Sequence, residues 1–222
     1  MNKKNVKKAL LLVLCAILLV VASVMGTLAY LTDSGKVVNT FTAGKVYITL
    51  DEAITNVDGK PLDAEDGNIV DLAQAARKAG EVNQSIGNKY HLIPGSNYTK
   101  DPTVTVEANS EACWLFIKVE NGISAIEGGT TIAQQIADND WIELDGVSGV
   151  YYRRHMESQT DQKYVVFTNF TVASEKNNAD LNAVKDNNVT VTAFAVQEEN
   201  VATSVDGEMN KALAAWDIVK PA

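Results

Sequence analysis

Cysteine and histidine are nearly absent: the 222 residues hold two of each, Cys15 and Cys113, His91 and His155. With Cys15 in an N-terminal apolar run that is expected to be removed, Cys113 is a lone thiol, which excludes an intramolecular disulfide. Its neighbours Ala112 and Trp114 lie in an apolar run, so it is expected to pack in a core rather than act as a nucleophile. Neither histidine belongs to an H-E-x-x-H motif, and zinc catalysis normally needs three protein ligands and an open position. Both are expected to be ordinary surface or partly packed residues. A glycine-rich phosphate loop and a G-x-S-x-G elbow are missing too. No metal, no cofactor and no enzymatic activity are expected. Basic charge is also short, with 19 Lys and Arg against 28 Asp and Glu, net −9. Such a surface repels nucleic acid and anionic lipid and favours solubility outside the cell.

What the sequence does have is an export signal. Lys3, Lys4, Lys7 and Lys8 precede an uncharged apolar run over residues 9–26. The run is about long enough to span a bilayer, so an uncleaved anchor is the alternative reading. Thr27 and Ala29 place small side chains three and one residues before Tyr30, a pattern that fits the signal-peptidase pocket. Cleavage after Ala29 is therefore predicted, making 1–29 a signal peptide. A lipoprotein is excluded, because Leu14 rather than a small residue precedes Cys15.

Residues 30–44 form an N-terminal segment of mixed polarity, followed by one domain over 45–222. In KVYITLD, Val46, Ile48 and Leu50 face one way, with Tyr47, Thr49 and Asp51 opposite. PTVTVEA alternates likewise, Val104, Val106 and Ala108 against Thr103, Thr105 and Glu107. ACWLFIKVE is apolar on both faces through Ile117, which predicts a central strand. KYVVFTNFTV and NVTVTAFAV read as long β-branched strands. WIEL and GVYYRR flank Asp145-Gly146 as a hairpin with more than two loop residues. Pro94-Gly95 in LIPGS predicts a turn.

Helices are few. Met209, Ala212, Leu213, Trp216 and Val219 follow helical spacing over 207–219, with Asp206 as its expected cap and Pro221 just past its end. Residues 71–80 and 130–138 are short helix candidates, the first closed by Gly80. The polar, acidic stretch 52–90 reads as an insertion or long loop. Strands with long connections predict a mostly β fold, a jelly-roll or Greek-key β-sandwich with a few short helices.

Chemical signals are weak. Asp58, Asp63, Glu65 and Asp66 are dense enough in oxygen to hold Ca²⁺, but their spacing departs from an EF-hand, and a solvated loop is expected. Asn-x-Ser/Thr sites occur at Asn83, Asn97, Asn169 and Asn188, at a frequency expected by chance. Trp141, Tyr151 and Tyr152 offer exposed rings to stack on a sugar or peptide; cross-strand pairing in the hairpin is the simpler reading.

The stretch GTLAYLTDSG…NTFTAGKVYITL resembles the N-terminal region of the TasA/camelysin family of secreted Gram-positive proteins. Thr27 to Ala29 match that family's cleavage site, and Thr40, Phe41, Gly44 and Val46 to Leu50 match its first strand. LIPGSNYTKDPTVTV resembles its L-x-P-G turn and following strand, and VTVTAFAVQ its last core strand. The resemblance implies a jelly-roll protein of the cell surface or biofilm matrix, processed by a SipW-type signal peptidase and assembling into fibres with copies of itself and other matrix proteins. Residues 52–90 and the C-terminal helix depart from the family pattern.

Three functional readings follow. The first is a secreted matrix protein whose freed N-terminus, with apolar Tyr30, Leu31, Val37, Val38 and Phe41, is donated as a strand to the next subunit. The second is a camelysin-type metalloendopeptidase using carboxylates with His91 or His155. The third is a ligand-binding module built on Trp141, Tyr151 and Tyr152.

Overall fold

The computed structural model describes residues 46–79, 87–201 and 206–221. The signal peptide, the cleavage residues Thr27, Ala29 and Tyr30, the assembly residues Leu31, Val37, Val38 and Phe41, and also Gly80 and Asn83 lie outside the described residues.

The elements are β1 (Ile48–Ala53), β2 (Arg77–Ala79), β3 (Asn97–Thr99), β4 (Thr103–Val106), β5 (Cys113–Asn121), β6 (Glu127–Gly128), α1 (Ile132–Asp138), β7 (Ile142–Glu143), β8 (Val150–His155), β9 (Gln162–Val165), β10 (Asn169–Val172), α2 (Asn178–Val184), β11 (Val189–Gln197) and α3 (Glu208–Val219). The strands make three antiparallel sheets, ordered β2-β1-β4-β9, β3-β10-β6 and β11-β5-β8-β7. The protein is mostly β, with short helices, and its layering is compatible with a β-sandwich.

The two faces of β5 organise the core. Cys113, Leu115, Ile117 and Val119 point into a cluster with Ile48, Val104 and Val106 of one sheet and Tyr98, Phe170 and Val172 of another. Trp114 and Phe116 point the other way, into a second cluster with Tyr152, Phe194, Val196, Ala212 and Trp216. A strand apolar on both faces has to be covered on both, and α3 supplies the second cover. Met209, Ala212, Leu213, Trp216 and Val219 all pack against that face. Burying each large side chain stabilises the fold by roughly 1.5–3 kcal/mol. β5 is central, as its composition predicts.

α1 begins at Thr131, whose hydroxyl accepts from Gln134 N–H while the Gln134 side chain accepts from Thr131 N–H, a reciprocal cap. Pro94-Gly95 forms the expected turn: Ser96 N–H donates to Ile93 O at 3.1 Å and Gly95 has φ +79. That positive φ with Pro one residue earlier is the chemistry of a type II turn.

Four expectations require correction. KYVVFTNFTV is two strands in two sheets, β9 beside β4 and β10 between β3 and β6. Between them Val166 to Thr168 belong to neither strand, and Val166 and Phe167 are buried where the chain crosses from one sheet to the other. Residues 71–80 do not form an α-helix: Leu72–Gln74 make one 3₁₀ turn and Arg77–Ala79 pair with β1. Tertiary pairing overrides the helical propensity of the alanines there. Asp206 does not cap α3 with its side chain; Gly207 is the N-cap residue, at φ +88, and Asp206 instead accepts from Asn210 Nδ2 through its carbonyl. The 52–90 stretch is more than a loop. β1 runs into it, bridges join Thr55 to Pro61 and Leu62 to Ile69, and β2 returns along β1. Gly59 makes this fold possible, because a Cβ there would sit 2.7 Å from the Tyr98 Cα.

Candidate functional site

Among the described residues β11 is an edge strand, open to solvent mainly over Val189 to Thr192 and buried from Ala193 to Gln197. This strand pairs with β5 over its whole length, from Val189↔Asn121 to Gln197↔Cys113, and has no second neighbour among the described residues. Gly122 N–H donates to Asn188 O, and Glu198 N–H donates to Ala112 O. Antiparallel strands alternate bonded and non-bonded pairs, so even-numbered residues of β11 bond β5. The backbone groups of Val189, Val191, Ala193, Ala195 and Gln197 therefore face outward from the sheet edge. Val189, Val191, Ala193 and Ala195 also direct their side chains toward the larger core, while Phe194 and Val196 lie under α3. The edge is thus polar in its backbone and apolar on one flank.

A second concentration of polar groups joins β1, β2 and the start of β4. Arg77 sits between two carboxylates: Nε donates to Asp51 Oδ1 at 2.6 Å and NH1 to Asp101 Oδ2 at 2.5 Å. Its NH2 group donates to Thr103 Oγ1 at 3.1 Å, and Asp101 Oδ1 accepts from Ala53 N–H at 2.8 Å. Beside it Lys100 Nζ donates to Glu52 Oε2 at 2.7 Å, both side chains being buried. Asn88 closes the group, donating to Glu52 Oε1 and Ala53 O and accepting from Thr55 N–H and Lys78 Nζ. Buried charges persist only when paired and hydrogen-bonded in this way. Sequence reasoning missed this cluster because its members are spread over a stretch read as loop. The alternating charges DE and RK at the ends of β1 and β2 were its one visible trace.

The sequence-predicted residues distribute as follows. Cys113 is buried in the core, as expected, and burial, with the Glu198 charge second, pushes its thiol up to about 12. A thiol so held is not a nucleophile near neutral pH. His91 is exposed. His155 is buried, not a surface residue: Nδ1 is hydrogen-bonded to Tyr164 Oη at 2.8 Å, while Nε2 is buried without a partner. Burial lowers its pKa. Its partner Tyr164 in turn carries the Arg153 guanidinium against its ring at 4.3 Å, a cation rather than a carboxylate.

Trp141, Tyr151 and Tyr152 are not an exposed cluster. Trp141 and Tyr152 are each 2% exposed and belong to different cores: Trp141 is next to Ile142, the cross-strand partner of Tyr152, and successive positions face opposite ways. Trp141 Nε1 donates to Val165 O, and Tyr152 packs against Trp114 and Phe116. Tyr151 is half-buried. Asp58, Glu65 and Asp66 are exposed, and Asp63 Oδ1 is engaged by the N–H groups of Asp66 and Gly67. Among the described residues no group of three or more His, Cys, Asp or Glu side chains could hold a metal ion. Asn97, on β3, donates to Asn169 Oδ1 and Thr171 Oγ1, both on β10. No helix among the described residues is long and apolar enough to cross a membrane.

Comparison with protein-family models, with curated proteins and with solved structures found no match for this chain.

Proposed function

We propose that this chain is a secreted structural protein of the Gram-positive cell surface or biofilm matrix, a jelly-roll or Greek-key β-sandwich whose activity is self-assembly into fibres. The observation that carries the reading is the outer edge of β11. Among the described residues its outward N–H and C=O groups meet no second strand, and those at the less buried end, around Val189 and Val191, can accept an added strand, the hazard and the opportunity of every sheet edge. The donor is residues 30–44 of another copy, freed by a SipW-type signal peptidase that cuts after Ala29. Tyr30, Leu31, Val37, Val38 and Phe41 supply its apolar contacts, and main-chain bonds supply the rest, as in other strand-addition systems. A donor and an acceptor on different parts of one chain repeat head to tail, which builds a filament rather than a closed dimer. The resemblance of the N-terminal region and of VTVTAFAVQ to TasA/camelysin sequences supports the same reading. Burial of the Trp141 and Tyr152 rings removes the main support for a ligand-binding module. The burial of His155 does the same for a peptidase using it.

The test is deletion of Tyr30 to Asn39 from the mature protein. The expected product is a folded, soluble monomer that makes no fibres by electron microscopy. Fibres of unchanged diameter and subunit repeat from that deletion would contradict strand donation.

A further inference from the structure

The Asn88 carboxamide is held in an arrangement that hydrogen bonding alone does not require. Lys78 stands opposite Glu52 in the β1–β2 pairing, and its Nζ lies 3.0 Å from Asn88 Oδ1, one bond from the carbonyl carbon. The same oxygen accepts from Thr55 N–H at 3.1 Å. On the other side of the amide, Nδ2 donates to Glu52 Oε1 at 3.2 Å and to Ala53 O at 2.9 Å. An amine, a polarised carbonyl and a buried carboxylate beside the leaving nitrogen are therefore collected at one point. We infer that Lys78 and Asn88 form an intramolecular isopeptide bond, with Glu52 as the proton carrier.

The chemistry balances without an oxidant or co-substrate. The Lys78 nitrogen lone pair forms a bond to Asn88 Cγ, and the carbonyl electrons move to Oδ1, where the Thr55 N–H stabilises the oxyanion. The attacking nitrogen sheds a proton to Glu52 Oε1. That carboxyl returns it to Nδ2, the Cγ–Nδ2 bond breaks, and ammonia leaves. The product is a secondary amide between Lys78 Nζ and Asn88 Cγ. Amides are poor electrophiles in water, and the step depends on fixed proximity, which is worth many orders of magnitude in effective concentration.

Burial favours the free amine. Glu52 is one buried carboxylate between two lysines, and Lys100 already holds its Oε2 at 2.7 Å. Burial pulls the Lys78 ammonium below its ordinary range, against the attraction of Glu52 and with a smaller push from the Lys100 charge. Lys100 thus keeps the site electrically balanced while Lys78 is free to react. The bond would lock β2 to the chain returning at Asn88 and would shield this part of the fold from extracellular proteases.

Intact-mass measurement of the full chain after folding tests the inference, with a protease digest to locate any change. The wild-type protein is expected to be lighter than its processed sequence by one ammonia, with a branched peptide joining Lys78 to Asn88. Lys78→Arg, which keeps the charge and leaves Glu52 in place, is expected at full mass, and so is Glu52→Gln. A wild-type protein that stays at full mass after prolonged incubation in the folded state overturns the inference. So does an ammonia loss that persists in Lys78→Arg, which would mark a succinimide within one peptide.

Discussion

β5 and β11 lie side by side, are each nine residues long and pair throughout, yet they occupy opposite situations. β5 has β11 on one edge and β8 on the other, whereas β11 has β5 alone among the described residues. Both strands carry apolar side chains on two faces, so composition does not separate them. What separates them is the direction of backbone groups, a property of topology rather than of side chains. Over Cys113–Lys118 both edges of β5 meet a neighbouring strand; in β11 alternate residues face outward. A strand can be core by its side chains and still be an edge by its backbone.

The largest effect is expected where β5 is cut away from its cover. Phe116 touches Trp216 and Tyr152, and Phe116→Ala should cost about 3–5 kcal/mol in urea unfolding. A loss below about 1 kcal/mol would show that α3 does not depend on this face. Proline placed at two consecutive positions of β11 sharpens the contrast. Thr192 bonds β5 opposite Lys118, so Thr192→Pro leaves a ladder acceptor unmatched at a cost of roughly 1–3 kcal/mol. Val191→Pro removes an outward N–H, the placement sheet edges tolerate, together with a partly buried side chain, and should cost less than Thr192→Pro while abolishing fibres. Equal destabilisation by the two prolines would break the proposed alternation.

A smaller effect is expected at the end of β8. Tyr164→Phe removes the hydrogen bond to His155 and should cost about 0.5–1.5 kcal/mol. His155 also gives a pH dependence. Its folded pKa is lowered from 6.5, so the unfolded chain binds the proton more readily. That contribution is present above the unfolded value and is lost as pH falls through the folded one. The groups facing it are Tyr164, Arg153 and its cross-strand neighbour Cys113, none of which is a carboxylate. Unfolding midpoints at pH 7.5 and 5 should differ more in the wild type than in His155→Gln; equal differences would remove His155 as a source.

Much of the fold was legible in the sequence for reasons of period. The doubly apolar run of β5, the alternation of β4 and the helical spacing of α3 each encode a face, and faces are what side chains report. The short candidate at 130–138 was legible as α1 as well. β9 and β10 read as one strand because no Gly or Pro separates them; the crossing is made by Val166 and Phe167, apolar residues that no turn signal distinguishes. Residues 71–80 read as a helix because alanine dominates. Their actual state is set by Arg77 reaching Asp51 and Asp101, the latter 24 residues away in sequence. The polar cluster around Asn88 and the open edge of β11 were illegible for the same reason: both are products of pairing between distant segments.

Residue-resolved amide hydrogen exchange on monomer and fibre tests the central claim most directly. In the monomer, the N–H groups of Thr190, Thr192 and Phe194 should be protected by β5, while those of Val191, Ala193 and Ala195 exchange faster. On assembly, strand addition predicts that this second set becomes protected and the alternation disappears. Fibres in which Val191, Ala193 and Ala195 exchange as fast as in the monomer would contradict assembly through the edge of β11.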